Sequence, residues 1–449
     1  MRMEFKEEIS TSRMSAPAKP GMTLAERRAA LAASKKVAAG PATAVASKRL
    51  AAPPVALETL FQGLKRESPT AIRFQLAPTH VSYANTLRRT MITEVETVAF
   101  RADILPNGRT SDVEITRNST PMSNEMLAHR IGLLPVHVTE PLKWKPDEYT
   151  FKLDITNETG DLRDIVAADI QVLKNRGGDQ DPLPVPSVEF FHPDPTTRDT
   201  ALLAVLKGRV GVQEPESLTF TAKATVGRGR ENARFMPVTA RCAYGYSLDD
   251  DPQRKKEIFT HWLQEAKKVS STELEADSAK KAAFEREFET MEIQRCYKVD
   301  ERGEPYSFDF IVESVGVLDS VYIVARAIDI IQEKLLKYAS VDTGDLPDTL
   351  KVAPTEARGP MFDFTFQGED HTLGNLLQTW MDQNQIDNDV ITFVGYKVPH
   401  PLRDEMVLRV GVADGKDSSA RAALAAACRE CAYLFRGWAA AWAAVTAAA

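Results

Sequence analysis

The first legible pattern along the chain begins at Ile72, where Ile72, Phe74 and Leu76 alternate with polar residues, the period-two signature of a half-buried strand. Pro78 and Thr79 then predict the opening of a helix, along which Val81, Ala84, Leu87, Met91 and Val95 recur at spacings of three and four. Asn85, Arg88 and Arg89 fall on its other face. The same grammar returns near the far end. Phe362, Phe364 and Phe366 alternate as a strand, Asp370 is the expected N-cap, and Leu373, Leu376, Leu377 and Trp380 carry a helical stripe. Setting Asn85-Thr86-Leu87 over His371-Thr372-Leu373 makes the two segments counterparts. A strand followed by a capped helix, met twice about 290 residues apart, predicts two related half-domains in one chain.

Each half also ends in a helix with a heptad-like seam. Val324, Ile328, Ile331, Leu335 and Tyr338 follow spacings of 4, 3, 4, 3, and Leu424, Cys428, Cys431, Phe435, Trp438 and Trp442 follow 4, 3, 4, 3, 4. Burying one such side chain is worth roughly 1.5–3 kcal/mol, so a seam left in water would be a serious liability. The expectation is therefore an α+β fold in which the halves form an intrachain pseudo-dimer. Val324, Ile328, Ile331, Leu335, Leu373, Leu376, Leu424, Phe435 and Trp438 would form its interface.

Boundaries follow from shifts in composition. Residues 1–56, rich in Ala, Pro, Ser and Lys, offer too few large apolar side chains to offset the entropy of folding and predict a disordered basic tail. Residues 57–102 and 306–345 make the first half, and 361–449 the second. A β-rich domain inserted over 103–305 has turn signals at Pro106-Asn107-Gly108, Gly177-Gly178 and Pro182 to Pro186. Residues 346–360, rich in proline and without periodicity, are the expected linker. Leu57 to Gly63 (LETLFQG) resembles a protease-cleavage linker by coincidence and carries no functional weight here.

Composition narrows the class. With 43% hydrophobic and 27% charged residues the chain is globular, and no apolar run approaches the roughly 20 residues of a membrane helix, so no membrane partner is expected. Four cysteines and a charged start suggest an intracellular, reducing compartment. The net charge of −7 hides an asymmetry: ten Lys/Arg against four Glu give residues 1–56 a charge of +6, leaving −13 on the rest. An acidic body disfavours a primary DNA-binding role, since phosphate neutralisation supplies most non-specific affinity. The tail would steer the chain to nucleic acid, direct nuclear import, or only solubilise.

Candidate chemistry is sparse. Glu125, His129 and Arg130 sit on a short helix begun by Ser123 and ended near Gly132 and Pro135; Glu125 and His129 are i,i+4 neighbours, yet no nucleophile accompanies them. Gly227-Arg228-Gly229-Arg230 lacks the glycine spacing and the Lys-Ser/Thr of a nucleotide loop. Gly374, beside Asn375, would permit close backbone approach. Cys428 and Cys431 have CxxC spacing but lie on the apolar seam, far from further ligands. Asp249-Asp250-Asp251 reads as a solvated turn before a Lys255-rich helix and matches no magnesium motif. No cofactor, metal or catalytic residue is expected.

Longer motifs carry a resemblance. Tyr83 to Met91 (YANTLRRTM), Leu127 to Val136 (LAHRIGLLPV), Gly227 to Val238 (GRGRENARFMPV) and Phe308 to Val317 (FDFIVESVGV) resemble the third subunit of eukaryotic RNA polymerase II and the archaeal D subunit. Phe364 to Leu377 (FTFQGEDHTLGNLL) and Tyr396 to Leu402 (YKVPHPL) resemble the eleventh subunit and archaeal L; bacterial alpha subunits are distantly similar to both. The resemblance implies a non-catalytic assembly platform that binds the second-largest catalytic subunit directly, then the largest, together with two small subunits, and meets DNA only through the complex. It implies large-subunit contacts at Asn85, Arg88, Arg89, Glu125, His129, Arg130, Arg228 and Arg230. Both partners in one polypeptide resembles the polymerases of large DNA viruses, which implies the host cytoplasm and the virion; a cellular chain would work in the nucleus. Two rivals stand beside it: a nucleotide-binding enzyme acting through Arg228 and Arg230, and a free-standing regulator that mimics polymerase parts.

Overall fold

Two short strands, not one, begin the first half. β1 (Phe61–Arg66) pairs antiparallel with β2 (Ala71–Leu76), its register shifting between Gln62 and Lys65, where Gly63 takes a φ of +61°. The computed structural model describes residues 60–106, 110–176, 181–269, 278–355, 359–386, 388 and 390–448, all within one unit. The basic stretch 1–56 and the turn residues Asn107, Gly108, Gly177 and Gly178 lie outside the described residues. Leu60 and Phe61 are buried, and the Phe61 ring stands 5.1 Å from Trp442 and 5.9 Å from Trp438. Leu60 and Phe61 of LETLFQG are thus core, as two large apolar side chains in a row require, while Gln62 and Gly63 are exposed.

Helix α1 (Val81–Thr93) buries Ala84, Leu87 and Met91 as the stripe requires. Its cap differs from expectation. His80, rather than Pro78 or Thr79, closes the first turn: Nδ1 accepts from the Ser82 N–H, and Nε2 lies 3.1 Å from Glu304 Oε2.

An antiparallel module follows, comprising β3 (Glu96–Ala99), β4 (Val113–Asn118), α2 (Asn124–Gly132), β5 (Tyr149–Thr156), β6 (Arg163–Val166), β7 (Gln171–Lys174), β8 (Leu183–Val185), β9 (Leu202–Leu206), β10 (Ser217–Ala222) and β11 (Thr225–Arg228). Its main sheet runs β4-β10-β5-β7-β8, with β3/β11 and β6/β9 as separate pairs. Phe100, Phe151, Leu153, Leu218 and Phe220 centre a core distinct from that of the halves. Pro182 to Pro186, expected as a turn, contains β8. The strand lies at the sheet's edge, where the missing N–H of Pro184 is tolerated.

The chain then returns to the first sheet as β12 (Ala243–Tyr246) before leaving again as two helices, α3 (Pro252–Trp262), capped by Asp251, and α4 (Ser278–Glu287). Trp262, Leu263, Phe288 and Cys296 form their small core. The expected 103–305 domain is therefore two insertions separated by a strand of the half-domain, and the second is helical. β13 (Phe308–Glu313) and α5 (Ser320–Lys337) complete the first half.

The second half comprises β14 (Leu350–Pro354), β15 (Met361–Gln367), α6 (His371–Met381), β16 (Phe393–Lys397), β17 (Glu405–Gly411) and α7 (Asp417–Ala448). β14 corrects the linker expectation. Residues 350–354 pair with β15 from Leu350↔Phe366 to Pro354↔Phe362, and Leu350 is buried. A short edge strand ending in proline leaves little periodicity to read.

The sheet orders are the same, β1-β2-β13-β12 and β14-β15-β17-β16. From Ala71 to Met361 and from the cap His80 to the cap Asp370 the offset is 290; from β12 to β16 it is 150, and from α5 to α7 it is 97. The falls of 140 and 53 measure the two insertions. The caps also correct the alignment of Asn85-Thr86-Leu87 with His371-Thr372-Leu373, which is one helical turn out of phase. Asn85 overlies Asn375, and Ala84, fully buried, overlies Gly374.

Candidate functional site

Paired helices join the halves. α5 packs along α7, and α1 packs against α6. Val324, Ile328, Ile331, Leu335, Leu373, Leu376, Leu424, Phe435 and Trp438 all lie buried in one continuous core that includes both sheets. The contacts are reciprocal. Tyr338, at the end of α5, meets Phe366 of the second sheet at 4.9 Å, while Trp442 of α7 meets Phe74 of the first at 5.0 Å and donates its indole N–H to Val321 O at 3.2 Å. Cys428 and Cys431 are buried on the same seam; burial pushes the Cys428 thiol up to about 12 and raises Cys431 well above its ordinary value, so neither thiol is a ready nucleophile.

A polar crossing accompanies the apolar one. Arg89 donates to Thr372 Oγ1 at 2.7 Å and Asp370 Oδ2 at 3.0 Å, and at the counterpart positions Thr379 donates to Ser82 Oγ at 2.9 Å. Asn375 adds a bond to Ser82 at 3.1 Å. Residue i on one half meets j on the other, and j meets i, which is the mark of a two-fold contact. Gly374 allows a close approach, but to a ring rather than to backbone: a Cβ there would lie 2.5 Å from Tyr396.

Beside this crossing lies a charge ladder of about 880 Å³ of open cleft, where both halves and the β module meet. Lys334 of α5 reaches Glu94 at 3.0 Å and Glu369 at 3.2 Å. Arg228 reaches Glu96 at 3.1 Å and Glu94 at 3.6 Å; Arg230 reaches Glu94 at 3.6 Å and also pairs with Asp404. Arg326 bonds Glu96 at 3.1 Å and Glu333 at 2.8 Å. Burial raises Glu369, against the pull of Lys334. Burial also opposes the charge on Glu96, yet hydrogen bonds from Arg326 and its own backbone, with the charges of Arg326 and Arg228, hold it below the usual range. For Asp370, burial is likewise outweighed, by the Thr372 hydroxyl and N–H and by Arg89.

Arg89, Arg228 and Arg230 therefore meet carboxylates of this chain, where the resemblance had implied those of other subunits. The reason is proximity in the folded chain. Gly227 and Gly229 serve packing: a Cβ would lie 2.6 Å from the Phe235 ring at the first and 2.3 Å from Ile92 O at the second, so the GRGR segment is a spacer and not a phosphate loop. Arg130 braces α2 by donating to Leu202 O at 2.9 and 3.1 Å. Ser123 caps that helix, and among the described residues no ion pair joins Glu125 to exposed His129. Asp251 caps α3 through the Gln253 N–H. Glu125 and His129 stay exposed, and Asn85 and Arg88, half-buried, bond each other at 3.0 and 3.1 Å.

The reading from sequence missed Glu94, Glu96, Arg326, Lys334 and Glu369. Lys334 stands directly beside a seam position, Leu335, and Glu94 and Glu96 flank Val95 at the end of an apolar stripe. Charges so placed must be paired, and that was the available signal.

Two models of the same family match this chain, both described as the RNA polymerase Rpb3/Rpb11 dimerisation domain, one over residues 73–335 and one over 362–436. The chain is 27% identical over 276 residues to the DNA-directed RNA polymerase subunit Rpo3 of Methanopyrus kandleri, covering 58% of this chain and 88% of that protein. It is 28% identical over 295 residues to the DNA-directed RNA polymerase II subunit RPB3 of Schizosaccharomyces pombe, covering 61% and 84%. Subunit 3 of the DNA-directed RNA polymerases II, IV and V of Arabidopsis thaliana is 27% identical over 295 residues, covering 59% and 85%. With one match spanning more than half its length and a second on the other half of the paired core, the chain belongs to the RNA polymerase Rpb3/Rpb11 dimerisation domain family.

Proposed function

We propose that this chain is a non-catalytic assembly subunit of a DNA-directed RNA polymerase, in which two dimerisation partners act as one covalent platform. The observation that carries the reading is the reciprocal packing of two sheets of equal strand order in a single core, in a chain similar to polymerase third subunits. A joined pair forms its interface without a bimolecular step, the effective concentration of linked modules reaching roughly millimolar values. The platform engages the two largest polymerase subunits, the second-largest directly, together with two small assembly subunits. Nucleotidyl transfer is the work of those larger chains, and DNA is met through the complex.

The test is co-expression of the chain with the two largest subunits, followed by purification in high salt and mass measurement of the intact assembly. One copy per enzyme, retained through the salt wash, is the expected result. A chain that washes away while the catalytic subunits remain active would instead be a regulator, and saturable nucleotide binding lost in Arg228→Ala would favour an enzyme.

A further inference from the structure

Among the described strands β12 is an edge strand paired with β13 alone, and pairing with residues 296–298 begins only past its end, where Leu248 bridges Tyr297. Ser247 N–H bonds Ser307 O at 3.0 Å, so in this antiparallel ladder the hydrogen-bonded pairs are 247↔307, 245↔309 and 243↔311. The intervening residues, Tyr244 and Tyr246, consequently turn their backbone N–H and C=O to the free edge. Along that edge runs an open cleft of about 770 Å³, with Asn85 and Arg88 of α1 on one wall and Met291, Arg295 and Tyr297 from the end of the helical insertion on the other. Met291 is 74% exposed.

The charges in the cleft are uneven. Arg295 is paired with Glu292, whereas Arg88 bonds only the neutral amide of Asn85 and has no carboxylate among the described residues. An exposed strand edge invites a further strand, and a lone guanidinium invites a carboxylate. The counterpart edge of the second half has no such second wall, since only a short connection links β16 to β17.

We infer that the free edge of β12 receives an extended, acidic segment of another polypeptide, added as a fifth strand through the backbone of Tyr244 and Tyr246, with a carboxylate on Arg88. This rests on the assembly reading, as it names the kind of segment one polymerase partner inserts. The rim aromatics Tyr244, Tyr246 and Tyr297 give the strand's side chains apolar surface.

The test uses the full chain and a fluorescein-labelled hexapeptide of alternating valine and glutamate, followed by anisotropy. A glutamine-for-glutamate peptide, a peptide N-methylated at alternate amides, and oligothymidylate serve as comparisons. Saturable binding of the acidic peptide is expected, weakened at least tenfold by Arg88→Ala, by the glutamine peptide and by N-methylation. Tyr246→Pro should also abolish it while retaining the melting temperature to within a few degrees, because only an outward N–H is removed. No binding at millimolar peptide overturns the proposal, as does equal binding of the methylated peptide; competition by oligothymidylate would assign the cleft to nucleic acid instead. If the wild-type chain assembles with the large subunits but the peptide fails, this inference falls alone; if the wild type does not assemble, the assembly reading falls.

Discussion

After α1 the first half carries the whole β module before it reaches β12, whereas after α6 the second half reaches β16 at Phe393 with only a short connection. Beneath this difference the strand orders and the paired helices correspond, and one departure is informative. Arg89 stands where the second half has Thr379, and Asp370 stands where the first half has His80. Two copies of the first half would set Arg89 toward a histidine cap in place of the Asp370 carboxylate. Two copies of the second would leave Asp370 facing threonine, without a cation. Unlike halves satisfy both, so selectivity for a mixed pair is written into the polar crossing while the apolar seam supplies the adhesion.

The largest expected effect comes from cutting the chain. Residues 60–345 and 346–449 expressed separately should each be insoluble, and co-expressed should copurify one to one; two soluble fragments that ignore each other in size-exclusion chromatography would break the pseudo-dimer. Next, Trp442→Ala, which removes the ring lying against Phe61 and Phe74, should cost about 3–5 kcal/mol in urea unfolding.

Lys334→Met should cost a similar ~3–5 kcal/mol, because Glu94 and Glu369 are left buried without their shared cation. Adding Glu369→Gln should recover part of that loss, and strict additivity in the double-mutant cycle would show that the ladder is not coupled. Arg89→Ala should cost only about 0.5–1.5 kcal/mol, since Arg89 and Asp370 are each about a third exposed. A larger loss would make the polar crossing, not the seam, the adhesive element.

The smallest effect is in pH dependence. Asp370 and Glu96 have depressed values, so the stability they contribute is present above the ordinary carboxylate range and is lost as pH falls through their folded values. Glu369 has the opposite sign. Its raised value makes the fold gain stability relative to the unfolded chain as pH falls through that value toward the ordinary 4.5. The melting temperature of the wild type minus that of Glu369→Gln should therefore rise on mild acidification; a flat difference would remove Glu369 from the ladder.

Much of this was legible because it is periodic. The stripe from Ala84 to Met91, the alternation at Phe362, Phe364 and Phe366, and the heptad seams each repeat often enough to stand out, and the cap at Asp370 is a short-range signal. β14 and β12 were not legible, being short edge strands whose pairing partners lie elsewhere in the chain. The phase between the halves was misread because an identical Thr-Leu pair outweighed the cap positions.

What the sequence alone determined is the local and repetitive part: two strand-helix units, two seams that water would not tolerate, and the motifs that mark the family. Only the tertiary structure decided which carboxylate each arginine meets, that the insertion is split by β12, and which strand edge stays open. Those outcomes depend on groups brought together from hundreds of residues apart, as Arg89 and Asp370 are, and no local pattern encodes such a distance.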